Sequence, residues 1–480
     1  FMDDANLAEF MEWKTQKGYH VQLVSRTEAG SSNSGIKAYI QNEYENAEIP
    51  PSFVLLIGDI SNMPSFNGDA GGHKSDTKYV TVDGTDDVID IYIGRFSADG
   101  VNGAQELANQ IEKTLLYEKY EMSDPSYLNE MLLVAGWDSG HTVGWGYPQL
   151  HYFDEYYGQP LGFTDHMFLS SGSHQNESEI IAQASEGVAF HNYTAHGYYQ
   201  EFSDPSFTNS DIQGLSNFEK YPLVVGNCCL TNYFDYSSGD CFGETWLIVE
   251  DKGAIGYIGG TNSTYWDEDL WYGTGFYSIP ASNPNGDPPS QEETGIGAYD
   301  AVFEEGYYTN EAMNYAGLLA VNESTSPRKQ YYWEIYTLMG DPSLSTYFGV
   351  PDAMTVEHMD VLPVGSTEFA VSTDKPGALA ALTMNGELLA SAFTDEEGEA
   401  ILSFASITEV GAAVLTITGQ NVQPYVAEIE TEEKSYGSVS IEPVSAIIGD
   451  TFEVCIHVDG LSQDDDIISY QFDLTYDESL

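Results

Sequence analysis

Basic residues are scarce. The 480 residues include 15 Lys and Arg against 76 Asp and Glu, a formal net charge of −61. A surface of that sign repels polyanions and anionic bilayers, so nucleic acid and membrane surfaces are excluded as partners. Three readings of the acidity stand side by side: a solvating coat for a salty habitat, a set of calcium sites, or a preference for basic substrates. Long apolar runs are also missing. No stretch approaches the roughly 18 apolar residues of a membrane span, and no secretory leader is visible. The chain opens abruptly at Phe1-Met2-Asp3-Asp4 and stops at Asp477-Glu478-Ser479-Leu480, so both ends read as cut from something longer. Cysteine is sparse too. Cys228, Cys229, Cys241 and Cys455 show no CxxC spacing, which excludes a disulfide scaffold and argues against a zinc site. Adjacent cysteines pair only with strain, so these thiols read as reactive or buried.

A hydrophobic content of 42% supports globular folding, and the length calls for several domains. Helical spacing of Leu7, Phe10 and Met11 predicts a first helix, stopped by Gly18. Tyr19 to Val24 reads as a strand, Ile36 to Tyr44 as a helix, and Phe53 to Asp59 as a short buried strand. Ile89 to Phe96 is a further strand, and about 104–120 a helix with Leu107, Ile111 and Leu115 on one face. This alternation predicts an α/β fold with a parallel sheet between helices. It continues through strands at Met131 to Gly136, Gly187 to Thr194, Tyr221 to Asn227 and Ala254 to Gly260, with helices around 149–156, 297–305 and 311–320. After Pro351 helical periodicity stops. Short apolar segments alternate with turns, Asn385-Gly386 being the clearest hairpin signal, and 350–430 reads as a β-sandwich. The expected organisation is 1–122, 123–347, 348–432 and 433–480: two α/β subdomains, a sandwich and a partial second β module.

Two strand ends carry chemistry. One runs into Thr194-Ala195-His196-Gly197, the next into Asn227-Cys228-Cys229, 33 residues from His to Cys. In open α/β sheets the carboxyl ends of adjacent strands form the site crevice, and a thiol nucleophile needs a base brought near it. Cys229 is the expected nucleophile, with Cys228 its rival. His196 is the expected base, and backbone N–H groups of Gly197 and Cys229 the expected oxyanion donors.

At these loops the sequence resembles the gingipain family of cysteine peptidases, which have a caspase-like fold. The likeness covers about 7–345 and is greatest to the lysine-specific members. It rests on the joint order of Ile93-Gly94-Arg95-Phe96-Ser97, Ala135-Gly136-Trp137-Asp138-Ser139, Asn192 to Gly197, Gly226-Asn227-Cys228-Cys229, Phe234-Asp235-Tyr236, Cys241-Phe242-Gly243-Glu244, Tyr265-Trp266-Asp267-Glu268-Asp269 and Tyr331-Tyr332-Trp333-Glu334. The chain departs from the family around 262–296, where it is longer and richer in proline. The resemblance implies Cys229, His196 and Asp138 as the catalytic set, and Asp269, Trp266 and Thr194 as the seat of a substrate lysine. It also implies an extracellular peptidase with no organic cofactor, followed by an immunoglobulin-like domain. Residues 437–480 resemble part of a cohesin-type module, which implies a dockerin-like partner. Calcium is a further expectation, from Asp59, Asp69, Asp76, Asp83, Asp86 and Asp87 in the loops of 59–90, hard oxygen donors without EF-hand spacing. An inactive scaffold built on the same domain, or a cell-surface maturation enzyme of narrow range, are the competing functions.

Overall fold

The computed structural model describes residues 1–99, 101–304, 306 and 308–433, and the backbone of 438–441 and 456–459. Eight strands form the central sheet: β1 Phe53–Ile57, β2 Tyr92–Phe96, β3 Glu130–Ala135, β4 Thr164–Leu169, β5 Phe190–Thr194, β6 Leu223–Asn227, β7 Gly256–Gly260 and β8 Tyr336–Gly340. Their order is β1-β2-β8-β7-β6-β5-β3-β4. The sheet is two parallel blocks rather than one. β1, β2 and β8 run one way, and β7, β6, β5, β3 and β4 the other, meeting in the antiparallel β7–β8 pair. Gly260 at the end of β7 therefore faces Tyr336 at the start of β8. The carboxyl ends of β3, β5, β6 and β7 thus share one sheet edge with the amino end of β8.

Helices cover both faces. Ala5–Gln16 and Gly103–Glu118 pack around Leu7, Phe10, Phe96, Leu107 and Ile111. Asn33–Asn46 contains the expected Ile36 to Tyr44 helix and extends it at both ends, with Ser32 accepting from the Gly35 N–H as its cap. Tyr19 to Val24 does not become a strand. It runs alongside without pairing, Tyr19 edge-on to Phe53 and Gln22 donating to Tyr39, so its apolar side chains are used without a ladder. Trp266–Thr274, left as loop by its sequence, is a helix. Residues 268–274 of it are all buried, which erases the amphipathic period on which sequence reading depends.

Arg95 on β2 ties the loops of the first 100 residues to the Cys segment. Its Nε and Nη2 donate to Asp76 at 2.7 and 2.9 Å, and Nη1 donates to the Gly58 and Met63 carbonyls. Its guanidinium lies 5.1 Å from the centre of the Phe234 ring, five residues past Cys229. The side chain is 1% exposed. Arg95→Ala strands Asp76 and should cost about 3–5 kcal/mol of stability, read as a lowered denaturant midpoint at unchanged slope.

Beyond Pro351 a three-stranded sheet (Val356–His358, Glu368–Thr373, Glu399–Ser403) faces a five-stranded one over Phe369, Leu382, Leu402 and Leu415. Asn385 and Gly386 both take positive φ, as a two-residue hairpin turn requires. The backbone of Ser438–Ile441 pairs antiparallel with Ile456–Asp459. The rest of the expected cohesin-like module, Cys455 included, lies outside the described residues.

Candidate active site

Register brings the two chemical loops together. Thr194 on β5 pairs with Asn227 on β6 and with Ala135 on β3. The three residues form one row, and the chain leaves the sheet from each at the same edge. Gly197 then passes hard against the Cys loop. A Cβ placed there would stand 2.6 Å from Cys228 Sγ and 2.8 Å from the Cys229 carbonyl oxygen. Only glycine permits that approach.

Asp138 sits in the turn after β3, held by Thr142, whose hydroxyl accepts from Asp138 N and donates to the Gly136 carbonyl. Its Oδ2 is 2.9 Å from His196 Nε2. Its Oδ1 is 2.9 Å from His141 Nδ1 and accepts the N–H groups of Gly140 and His141. Partial burial opposes its charge, but the donors from His141, His196 and Gly140 win and hold the carboxyl well below the usual range. An ionised Asp138 on Nε2 fixes the His196 tautomer and leaves Nδ1 as its basic nitrogen. His141 was not among the sequence-derived site residues; its spacing of three from Asp138 in a polar turn was the available signal. Its ring stacks on Trp266 at 5.2 Å and 5°, and Trp266 meets His196 edge-on at 5.9 Å. Trp266 is anchored next to Asp267, which accepts from Trp145 Nε1 at 2.7 Å.

Cys228 is fully buried in an apolar cluster with Tyr193 and Tyr257, its Sγ 3.7 Å from Thr231 Oγ1. Burial pushes its thiol far up. Cys229 is only partly buried. Its Sγ accepts the Thr264 N–H at 3.3 Å and lies 3.8 Å from the Thr264 carbonyl oxygen. Burial raises this thiol as well, opposed by the Thr264 N–H. Burial thus disfavours the charged form of this sulfur, and a proton acceptor is needed as it attacks.

Thr264 continues from Cys229 to Asp269. Its hydroxyl donates to Asp269 Oδ2 at 2.6 Å, while Tyr332 and Tyr336 donate to Oδ1 at 2.9 Å each. The Asp269 carbonyl accepts from Gln149 at 2.5 Å. Asp269 is 4% exposed. Burial pushes its carboxyl up to about 7, against the three hydroxyls. The hydroxyl on Asp269 is thus Thr264's. Thr194, buried at the end of β5, stands in the row beside Asn227, which bonds Tyr336 at 2.8 Å. Thr264, Tyr332 and Tyr336 were missed as partners of Asp269, because only the folding of the 261–269 loop against β8 brings them to it.

The six Asp side chains of the 59–90 loops on which the calcium expectation rests have other partners. Asp76 is committed to Arg95, Asp69 to Lys78, and Asp59 to the turn at Ser61 and Asn62. Asp83 and Asp86 accept backbone N–H groups, and Asp87 accepts from Gln330. Among the described residues no three His, Cys, Asp or Glu side chains gather into a metal-binding group. No described helix is long and apolar enough to cross a membrane.

Comparison with known proteins agrees with this geometry. Residues 3–347 match the model of peptidase family C25, and 360–432 that of the family's C-terminal Ig-like domain. Lys-gingipain W83 of Porphyromonas gingivalis is 34% identical over 460 residues, 93% of this chain and 26% of its own length. Gingipain R1 of the same organism is 24% identical over 91% of this chain and 42% of its own. The chain thus spans about a quarter of the length of the Lys-gingipain relative. A solved protease structure superposes with a TM-score of 0.82 at 34% identity, covering 88% of this chain and 94% of its own. The Arg specific cysteine proteinase gingipain R shares the fold, with a TM-score of 0.75 at 22% identity, covering 88% of this chain and 94% of its own. With its Cys, His and Asp gathered at one sheet edge and the Ig-like sandwich behind them, this chain belongs to peptidase family C25, the cysteine peptidases that include the gingipains.

Proposed function

We propose that this chain hydrolyses peptide bonds on the carboxyl side of lysine, as an extracellular endopeptidase. One observation carries the reading: Thr264 touches the Cys229 sulfur with its backbone and the buried Asp269 carboxyl with its hydroxyl. The nucleophile and a buried acid of lysine-binding type are therefore one residue apart. Trp266, walling the same loop, supplies an apolar face for the aliphatic stem. A lysine head is a compact charge with three donors, which a carboxylate and its neighbouring hydroxyls can share. The name of the Lys-gingipain relative supports the same preference.

The steps follow from the site. Cys229 Sγ gives its proton to His196 Nδ1 and forms a bond to the carbonyl carbon of the lysine residue. The carbonyl oxygen takes the electron pair and is met by the Gly197 and Cys229 N–H groups, donors of a kind worth about 3–4 kcal/mol. The imidazolium, steadied by Asp138, protonates the leaving nitrogen as the C–N bond breaks. Water, losing a proton to His196, then attacks the thioester; the acid leaves and Cys229 regains its proton. No organic cofactor enters. A peptide-library digest mapped by mass spectrometry tests the reading: cuts after Lys with wild type, none with Cys229→Ala. Cuts spread over other residues would overturn the lysine preference.

Asp138→Asn should lower kcat by about 10^3- to 10^4-fold with the fold intact, because the amide no longer holds one His196 tautomer. His141→Phe keeps the ring on Trp266 but removes a donor to Asp138. Asp138 then loses one of the contacts that orient it toward His196, and kcat should fall with KM little changed.

A further inference from the structure

The hairpin that follows Gly197 carries two tyrosines for which the hydrolysis itself has no use. Tyr198 is 52% exposed, and its ring centre lies 4.3 Å from that of Tyr199. Tyr199 stacks on Tyr236 at 4.7 Å and 24° and leans on Tyr233 at 4.9 Å. One pair of rings comes from the segment behind the general base. The other comes from the segment behind the nucleophile, four and seven residues past Cys229. The cluster is fixed from below: the Tyr199 carbonyl accepts the Phe242 N–H at 2.8 Å, and Gln200 donates to the Asp240 carbonyl at 3.0 Å.

Its place relative to the reaction follows from the sheet. Asp269, which takes the lysine side chain, sits in the helix Trp266–Thr274 that follows β7, on one side of β6. The tyrosines come from the hairpin after β5, on the other side. His196 protonates the departing amine and precedes Tyr198 by two residues. The peptide beyond the cleaved bond leaves on the side of that proton donor, and Tyr198 and Tyr199 are the first side chains after Gly197 in the chain.

We propose that this tyrosine ledge is a binding subsite for an aromatic or bulky apolar side chain at the first or second position after the cleaved bond. The assignment rests on the hydrolysis proposed above. Tyrosine is well matched to such a contact, because it offers a large flat face at the cost of two torsions, and ring pairs gain by offset or edge contact at 4.5–7 Å. An acidic side chain at that position is opposed by the chain's net charge of −61.

The test compares peptides that differ only after Lys, carrying Phe, Leu, Gly or Asp at the first two following positions. Wild type should cleave the Phe peptide about tenfold faster than the Gly peptide in kcat/KM. In a Tyr198→Ala, Tyr199→Ala double variant that ratio should fall below about twofold, with preference for Lys over Arg retained. The second measurement is peptide affinity of Cys229→Ala, and of Cys229→Ala carrying both tyrosine changes, which needs no turnover. Tighter binding of the Phe peptide that is lost with the tyrosines supports the ledge even where wild type cleaves nothing, and would then sink only the hydrolysis. Equal loss on Phe and Gly peptides, or a shift in preference before Lys instead of after it, overturns the ledge.

Discussion

Asp269→Asn should cut kcat/KM for lysine peptides by about a hundredfold to a thousandfold, most of it in KM. The carboxyl is almost fully buried, with Thr264, Tyr332 and Tyr336 fixed around it. A lysine ammonium entering this pocket leaves its water behind, and only a negative charge compensates that loss. Facing an amide, the buried charge is unpaired, at a penalty of about 3–5 kcal/mol. The same burial makes the pocket pH-sensitive. With the Asp269 carboxyl at about 7 in the free protein, lysine binding below that pH must first expel a proton. Affinity of Cys229→Ala for a lysine peptide should therefore weaken about tenfold per pH unit below 7 and level off above it. Asp269→Asn should flatten the curve. Measuring binding rather than turnover keeps His196 out of the profile. The stability term has the opposite sense. Native Asp269 holds a proton that the unfolded chain has already lost between the ordinary carboxyl range and about 7. Its contribution is full below that ordinary range and is lost as pH rises toward 7. Asp269→Asn should consequently raise Tm at pH 8 and not at pH 4. A variant that loses lysine binding while gaining stability would mark Asp269 as a charge kept for substrate at the expense of the fold.

Much of the frame is legible because buried parallel strands read as continuous apolar runs. The apolar lead-ins Gly187 to Phe190 and Tyr221 to Val224 announce themselves so, and the polar segments after them mark the edge where His196 and Cys229 emerge. What the pattern does not carry is direction. Tyr336–Gly340 is as apolar as its neighbours, yet it runs against β7 and with β2, and that reversal delivers Tyr336 to Asp269. Full burial hides a helix as well: Trp266–Thr274 has no polar face to set a period. Among the site residues, Cys229 and His196 follow from position on the strands. Asp138 and Asp269 were carried by resemblance, since one acidic residue among 76 has no mark of its own. His141 was found by neither route, its spacing from Asp138 being its one signal. Its role is created by Asp138 having two oxygens and by Trp266 arriving from a helix more than a hundred residues away. Calcium was carried by composition alone, and in the 59–90 loops Arg95, Lys78 and backbone N–H groups take up several of those carboxylates.

Replacing each cysteine of the pair separately should give the largest contrast of all. Cys229→Ala should reduce hydrolysis by about 10^5-fold or more, as removal of a nucleophile does, while Cys228→Ala should stay within about tenfold of wild type. The two side chains leave a single loop in opposite directions. Cys228 points into the apolar cluster with Tyr193 and Tyr257, and Gly197 seals it from the crevice. Its thiol is held far above its ordinary range by burial with little to offset it. A thiolate there would have no solvent and no path to a carbonyl carbon. Cys229 meets the Thr264 N–H, a donor that favours the anion as it forms, and in the mechanism proposed above His196 takes its proton. Loss of the Cys228 sulfur acts on packing, at about 1–2 kcal/mol for so small a void, and should appear in Tm. Loss of the Cys229 sulfur should leave Tm nearly unchanged and remove the chemistry. Labelling separates them again: a lysine-bearing electrophile should modify Cys229 alone, because the Asp269 pocket delivers its carbon to one sulfur. Modification of Cys228, or equal loss of activity in the two variants, would move the nucleophile one residue and take the Thr264 link to the lysine pocket with it.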